Sequence, residues 1–312
     1  MYREKSSLFP VRTSPCQAQW RLNEQKPTWL RPYTRSAGRT DKRAVLICFP
    51  HAGGAASAFV GWRELVPDNW GLFAVKYPGR EDRLAEAHAS SVTAIAEAVA
   101  AELRVLVPAS VPMIFFGHSM GAVVAYETAH VLSRSGRAPG LLAVSASSPE
   151  GDSWFSSPDT PGTSNDGKSH QRFIAERVAG LDPDFSEIAK YPDLRDYAVA
   201  VVQADIDVCD QHSLTPDTLV SVPILALSGQ DDPATTPGNV DKWRAYSTGP
   251  FSALSFPGGH FYLRNEAKRV VQTLVKTADP YLAPPMVTTM RYQTGGATGG
   301  CRYRADGGRL PG

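Results

Sequence analysis

Phe115-Phe116-Gly117-His118-Ser119-Met120-Gly121-Ala122 is the stretch from which the fold can be predicted. It joins an apolar strand to the pattern Gly-x-Ser-x-Gly and then to small and apolar residues typical of a helix. A serine at such a sharp strand-to-helix turn has a strained backbone and an exposed hydroxyl, and flanking glycines remove Cβ atoms that would clash. The first amides of the following helix then face a developing oxyanion. The stretch therefore predicts Ser119 as a nucleophile, provided that partners are found elsewhere, because the bare pattern also occurs by chance.

Apolar strands alternate with amphipathic helices on both sides of this stretch. The predicted strands are Arg43–Phe49, Leu72–Tyr77, Met113–Phe116, Leu141–Ala146, Val222–Ser228 and Phe251–Phe256. Such alternation is typical of an α/β protein with a mostly parallel central sheet and helices on both faces. In these sheets ligands bind beyond the carboxyl ends of the strands, where the elbow and the glycine-rich loops lie.

The alternation breaks after Ser148. Residues 156–169 are polar and rich in turn formers, and helical segments without intervening strands follow until Val222. We therefore expect one domain over residues 29–280, with a helical lid insertion at about 150–215. Residues 1–28 are expected to be a flexible tail, and residues 281–312 a disordered tail rich in Gly and Arg.

Composition excludes several classes of protein. The chain has 312 residues, 42% of them hydrophobic and 20% charged, and a formal net charge of +1. It has no apolar run long enough for a membrane span, no signal-peptide pattern, no dense Lys/Arg run, and four cysteines without metal-binding spacing. We therefore expect a cytoplasmic monomer with reduced thiols that binds neither membrane nor nucleic acid.

Two later strand ends offer an acid and a base for Ser119. A serine hydroxyl needs a base to remove its proton and an acid to hold that base. His260 follows two glycines at the end of the last strand, and is the predicted base. The preceding strand ends in Asp231 and Asp232. We favour Asp232, which lies three residues after Gly229 and directly before a proline; Asp231 is the alternative.

The oxyanion hole needs two converging N–H donors. One is expected from Met120, the residue after the nucleophile, and the other from the loop after the first strand. In that loop we favour Ala52, with Gly53 as the alternative. The competing interpretation is that the glycines of this loop only close a tight turn.

Five motifs taken in order make the chain resemble the type II thioesterases, stand-alone editing enzymes of the α/β-hydrolase superfamily. They are Phe49-Pro-His-Ala-Gly-Gly54 with Ser57, Tyr77-Pro-Gly-Arg-Glu-Asp-Arg83, Gly117-His-Ser-Met-Gly-Ala122, Leu227-Ser-Gly-Gln-Asp-Asp232 and Gly258-Gly-His-Phe-Tyr-Leu263. The resemblance runs from about Trp29 to Ala278.

The resemblance implies a function for the whole domain. Enzymes of this family remove aberrant or stalled acyl groups from the phosphopantetheine arm of acyl or peptidyl carrier protein domains, in polyketide or non-ribosomal peptide biosynthesis. It implies a triad of Ser119, Asp232 and His260, a flexible lid, and no metal or cofactor of the enzyme's own. The alternatives are an esterase or acyltransferase using the same triad, and a non-catalytic scaffold on the same fold.

The triad does not explain Arg80 and Arg83. Their loop follows a strand end near the predicted site, where either guanidinium could meet a phosphate or an acidic carrier protein. Alternatively, the two residues order the loop by local ion pairing. The sequence favours neither interpretation.

Overall fold

A seven-stranded sheet forms the centre of the molecule. The computed structural model describes residues 29–33, 42–151, 155, 167–214 and 219–282; the predicted N-terminal tail and nearly all of the C-terminal one lie outside these ranges. The strands are β1 Leu30–Pro32, β2 Ala44–Phe49, β3 Trp70–Val75, β4 Met113–His118, β5 Leu141–Ser145, β6 Ile224–Gly229 and β7 Phe251–Phe256. Their order is β1-β3-β2-β4-β5-β6-β7, and every neighbouring pair is parallel except β1 with β3.

The burial of the strands explains which of them the sequence predicts. All residues of β2, β3, β4, β5 and β6 are buried, so each strand reads as a continuous apolar run. At the sheet edge, four of the six residues of β7 are exposed. Strand β1 was not predicted, because three residues are too few to show a hydrophobic period.

Helices cover both faces of the sheet. Helices α1 (Val92–Leu106) and α2 (Met120–Ser133) pack on one face, against alternate residues of β2 such as Val45 and Ile47. The other face, with Leu46 and Cys48, is covered by a 3₁₀ helix at Ala56–Glu64 and by the last helix, Ala267–Ala278. The predicted α/β-hydrolase architecture is therefore confirmed.

Between β5 and β6, where the sequence predicts the insertion, the described residues form three α-helices. They are α3 Gly167–Leu181, α4 Phe185–Ala189 and α5 Pro192–Asp210. They share a small apolar core of their own, formed by Ile174, Phe185, Val199, Val202 and Ile206. After β6 come α6 (Pro237–Asp241) and α7 (Ala267–Ala278). Helix α7 is the one that covers the sheet face with Leu46 and Cys48.

The polar stretch that opens the predicted insertion falls mostly outside the described residues. Among the helices that the structure describes, none combines the length and the apolar character needed to cross a lipid bilayer.

Candidate active site

Ser119 lies at the turn between β4 and α2 in a rare backbone conformation. Its φ of 54° and ψ of −123° are unusual for a residue with a side chain, and such strain costs on the order of 1–3 kcal/mol. The Ser119 amide donates to the Ser145 carbonyl of β5 at 2.8 Å, which fixes the turn against the neighbouring strand. The strain and its support are those expected of a nucleophile elbow.

The two glycines of the elbow are required by close backbone contacts. A Cβ on Gly117 would overlap the carbonyl of Gly121, and a Cβ on Gly121 would overlap the carbonyl of Phe49. In both cases the obstacle is main chain, which cannot rotate away as a side chain can. Helix α2 therefore begins in direct contact with the ends of β2 and β4.

His260 and Asp232 meet at the carboxyl edge of the sheet. The His260 Nδ1 lies 2.9 Å from Asp232 Oδ2, and the two residues are 3% and 6% exposed. The other carboxylate oxygen, Oδ1, accepts from the amides of Ala234 at 2.9 Å and Thr235 at 3.2 Å. The carboxylate is thus fixed by its own loop and can orient the imidazole through Nδ1–H, which directs Nε2 to catalysis.

Of the two adjacent aspartates, the structure places Asp232 against His260. Asp231 is exposed, and its amide donates to the Gly258 carbonyl at 3.0 Å. That bond joins the loop after β6 to the loop after β7, so Asp231 helps to bring acid and base together by its main chain. Asp232, the residue favoured from the sequence, is thus the one in contact with the predicted base.

Ala52 and Met120 line a common cleft with Ser119 and His260. The Met120 amide belongs to the first turn of α2, where helix geometry leaves N–H groups without intrahelical acceptors. The alternative donor, the Gly53 amide, donates instead to Asp205 Oδ2 at 2.7 Å. Because that amide is engaged, the geometry favours Ala52 as the second oxyanion donor.

Two further histidines surround the base. The His118 ring lies 5.1 Å from that of His260 and 5.9 Å from that of His51. Its Nδ1 is 3.0 Å from Ser145 Oγ, which lies 2.7 Å from the Tyr262 hydroxyl.

Both of these histidines are held neutral. Burial lowers the pKa of His118 well below its ordinary value, and the neighbouring His260 lowers it further. For the same two reasons, in the same order, the pKa of His51 falls to about 3. No second imidazolium therefore lies beside His260.

Arg80 and Arg83 each form an ion pair, and each is only 5% exposed. Arg80 contacts both carboxylate oxygens of Asp205, at 2.6 and 2.7 Å. Arg83 contacts both oxygens of Glu86, at 2.9 and 2.6 Å, and donates to the Lys76 carbonyl. Arg83 thus orders its own loop by local ion pairing, one of the two interpretations left open by the sequence. Arg80 instead pairs with a residue 125 positions away on α5.

Two clefts meet at the predicted nucleophile and share Ala52, Ser119, Phe155, Leu181 and His260. The first runs past the start of α2 toward the carboxyl end of α5. Its further lining includes Met120, Val123, Ile206, Cys209 and His212. The second runs beneath α3, α4 and α5, with a further lining that includes Val178, Phe185, Ala198, Val202 and Phe261.

Asp205, Ser145 and Tyr262 are contacts of the site that were not predicted from the sequence. Asp205 could have been found from the pattern of α5, because it is the single acidic residue among the otherwise apolar buried positions of that helix. A buried carboxylate indicates a partner. Ser145 and Tyr262 reach His118 from another strand and another loop, and no local pattern indicates such contacts.

Comparison with known proteins relates the chain to thioesterases. Residues 44–278 match the family model described as a thioesterase domain. Thioesterase PikA5 of Streptomyces venezuelae is 33% identical over 261 residues, which are 78% of this chain and 83% of that protein.

Solved structures give the same relation. Type II thioesterase BorB from the borrelidin biosynthetic cluster is 28% identical, with a TM-score of 0.68, and the match covers 84% of this chain and all of that one. The type II thioesterase YbtT from the yersiniabactin NRPS/PKS pathway is 27% identical, with a TM-score of 0.67, and the match covers 82% of this chain and all of that one.

Proposed function

The chain belongs to the thioesterase domain family, and we propose that it hydrolyses acyl thioesters on the phosphopantetheine arm of acyl or peptidyl carrier protein domains. The acyl groups would be aberrant or stalled intermediates of polyketide or non-ribosomal peptide synthesis. The origin of similar proteins supports this proposal, since BorB comes from a biosynthetic cluster and YbtT from an NRPS/PKS pathway.

One observation carries the catalytic part of the proposal. A strained Ser119 lines the same cleft as His260, whose buried partner is Asp232, at the sheet edge where the parallel strands end. A serine, a histidine and a carboxylate in these positions constitute the machinery of nucleophilic acyl transfer.

In the proposed mechanism, His260 accepts the proton of Ser119 as the hydroxyl oxygen attacks the thioester carbonyl. The carbonyl oxygen becomes an oxyanion, which accepts hydrogen bonds from the Ala52 and Met120 amides. The C–S bond breaks and the thiol of phosphopantetheine leaves with the proton from His260.

His260 then takes a proton from water, whose oxygen attacks the acyl-serine; the free acid is released and Ser119 regains its proton. Asp232 orients His260 and balances its charge in both half-reactions. We propose that the enzyme contributes no metal ion or organic cofactor, because one imidazole serves every proton transfer.

The two clefts suit a thioester. The carbonyl carbon of a thioester has two long substituents, the acyl chain and the pantetheine arm. When the carbonyl is bound at Ser119, both substituents must extend away from it. Two clefts that meet at Ser119 can receive one substituent each. A single cleft would have to hold both.

The alternative chemistries use the same triad. An esterase or acyltransferase would form the same acyl-serine, and the difference lies in the leaving group or in the acceptor. The thioesterase family match favours thioester hydrolysis over both. A non-catalytic scaffold requires a broken triad or a blocked elbow, whereas Ser119 lines two clefts.

Intact-protein mass spectrometry of an acyl-loaded carrier protein tests the proposal. Wild-type enzyme should return the carrier to its free-thiol mass, and Ser119→Ala should not. Ser133→Ala, at the other end of α2, is the matched control and should act as wild type. Equal persistence of the acyl group with wild type and with Ser119→Ala would refute the proposal. Its appearance on an added acceptor would indicate an acyltransferase.

A further inference from the structure

A buried ion pair joins the insertion to the loops beneath it. Arg80, after β3, and Asp205, on α5, are 5% and 7% exposed. Both carboxylate oxygens are engaged by separate guanidinium nitrogens, at 2.6 and 2.7 Å. This bidentate geometry fixes the direction of both side chains, whereas a single contact would leave them free to rotate.

The same two side chains hold the loop after β2. The Gly53 amide donates to Asp205 Oδ2 at 2.7 Å, and Arg80 Nη1 donates to the Gly54 carbonyl at 3.0 Å. At the start of the loop, the Tyr77 hydroxyl donates to the Pro50 carbonyl at 3.1 Å. Three main-chain groups that flank Ala52 are thus fixed, namely the Pro50 carbonyl, the Gly53 amide and the Gly54 carbonyl. The Ala52 amide takes part in none of these bonds.

Helix α5 also lies in direct contact with this loop. Gly53 has a φ of 75°, and a Cβ there would overlap Cγ2 of Val202. One turn earlier on α5, the Tyr197 hydroxyl donates to the Gly79 carbonyl at 3.1 Å. The helix therefore contacts the loop after β2 through packing as well as through charge.

From these contacts we infer that Asp205 and Arg80 are positioning residues of the oxyanion hole. They hold the Ala52 N–H in line with the carbonyl at Ser119 and so couple the lid helix α5 to the catalytic site. The inference rests on the proposed function, because it takes Ala52 as an oxyanion donor. It adds a role to two residues outside the triad.

The energetic reason is the cost of an unpaired buried charge. When one partner of a buried ion pair is removed, the other is left as an uncompensated buried charge, which is strongly destabilising. The loop can relieve that cost only by moving, and the Ala52 amide moves with it. Loss of an oxyanion donor lowers kcat by about 10²–10³-fold, which bounds the expected effect.

The test compares Asp205→Asn with wild type in steady-state hydrolysis of an acyl N-acetylcysteamine thioester. Asparagine keeps an acceptor for the Gly53 amide but loses the charge that pairs with Arg80. We expect kcat to fall by about 10- to 100-fold, less than for a lost donor because the Ala52 amide is displaced and not removed, with KM changed by less than about threefold.

A second measurement uses a fluorophosphonate probe that phosphonylates Ser119. The phosphoryl oxygen occupies the oxyanion hole during this reaction, so the labelling rate constant should fall in parallel with kcat. Glu86→Gln is the matched control, since it removes the partner of Arg83 on the same loop without touching residues 50–54. It should leave both rates within about twofold of wild type.

The outcomes separate positioning from other roles. A kcat for Asp205→Asn equal to that of wild type would overturn the inference, as would a rise in KM alone, which would assign the pair to substrate access. If Asp205→Asn does not fold, Arg80→Lys is measured instead. Lysine keeps the positive charge but loses the bidentate contact with Asp205. The kcat of this variant should fall while its melting temperature stays close to that of the Glu86→Gln control.

Failure of the proposed function would look different. A wild type that reacts with the probe and the small thioester, but never unloads a carrier protein, would refute the carrier assignment and leave the Asp205 test intact. A wild type inert to both reagents would overturn both proposals, because no oxyanion hole would exist to be positioned.

Discussion

At the scale of single residues, the arrangement depends on how Asp232 differs from Asp231. The two carboxylates are adjacent in sequence, yet one is buried beside His260 and the other is exposed. Three hydrogen bonds converge on Asp232, two from its own loop and one with His260. These contacts fix the direction of the carboxylate, which is what orienting the imidazole requires.

Replacing each aspartate in turn tests this difference. Asp232→Asn should lower kcat by about 10³–10⁴-fold, because the amide no longer enforces the correct imidazole tautomer. Asp231→Asn is the matched variant and should lower kcat by less than about threefold, since its contact with Gly258 uses the main chain. Steady-state kinetics on an acyl thioester measure both. A larger loss for Asp231→Asn would contradict the assignment of the acid.

His118 should make the stability of the protein depend on pH. Its pKa in the folded state lies below the value of about 6.5 for an unfolded chain, because the ring is buried. Below about pH 6.5 the unfolded state therefore binds a proton that the folded state does not. The contribution of neutral His118 to the free energy of unfolding is therefore complete above that pH. It is lost as the pH falls toward the folded-state pKa of His118.

The measurement is urea unfolding between about pH 7 and about pH 5. We expect His118→Asn to reduce the slope of unfolding free energy against pH by up to about 1.4 kcal/mol per pH unit, the value for one proton. Ser119→Ala changes the same turn without removing a titratable group, and should keep the wild-type slope. An unchanged slope for His118→Asn would mean that the ring is protonated in the folded state as well.

At the scale of secondary-structure elements, the elbow depends on the contact of α2 with β2. Gly121 lies in the first turn of the helix, against the carbonyl of Phe49. Because the obstacle is a carbonyl of a buried central strand, neither element can yield without disturbing the sheet. The position of the Met120 amide follows from the same contact.

Gly121→Ala should therefore damage stability and catalysis together. We expect a loss of about 1–3 kcal/mol, as for other overpacked sites, and a marked fall in kcat as the start of α2 shifts. Gly61→Ala is the control, because the added Cβ would meet no atom within 4 Å beyond its chain neighbours and its own helix backbone. It should change the unfolding free energy by less than about 1 kcal/mol. Wild-type stability in Gly121→Ala would contradict the close contact.

At the scale of the whole molecule, the two apolar cores on either face of the sheet depend on distant parts of the chain. The core beneath α7 includes Leu274, Ala278 and Leu282, which pack against residues of β2 such as Leu46 and Cys48. The end of the described chain therefore completes a core that the first long strand begins. The family match ends in the same helix, at residue 278.

Two truncations test where the folded unit ends. A variant that stops after Leu282 should keep the wild-type melting temperature within about 2 °C, no more than a change of about 1 kcal/mol would produce in a domain of this size. A variant that stops after Thr273 loses three buried residues and should not fold, because one buried leucine alone contributes about 2–5 kcal/mol. Thermal unfolding followed by circular dichroism measures both. An unfolded longer variant would show that later residues also support the core.

The order of the chemistry along the chain could be predicted without coordinates. Strands buried on both faces are continuous apolar runs, and parallel strands joined by helices end at one edge of the sheet. Ser119, the two aspartates and His260 each follow such a strand, so the sequence places them at one edge in the right order. The tight turn at Ser119 is also visible in the sequence, because Gly117 and Gly121 occupy the positions where a Cβ would clash.

Contacts between distant segments could not be predicted in this way. Arg80 and Asp205 are separated by 125 positions, and only packing of α5 on two loops brings them together. The same holds for the engagement of the Gly53 amide and for the neutral histidines around His260. A periodic pattern reports which face of an element is buried, and therefore the sequence by itself determined the fold and the chemical groups. The tertiary structure decided their partners, because a side chain's partner depends on where two separately specified elements meet.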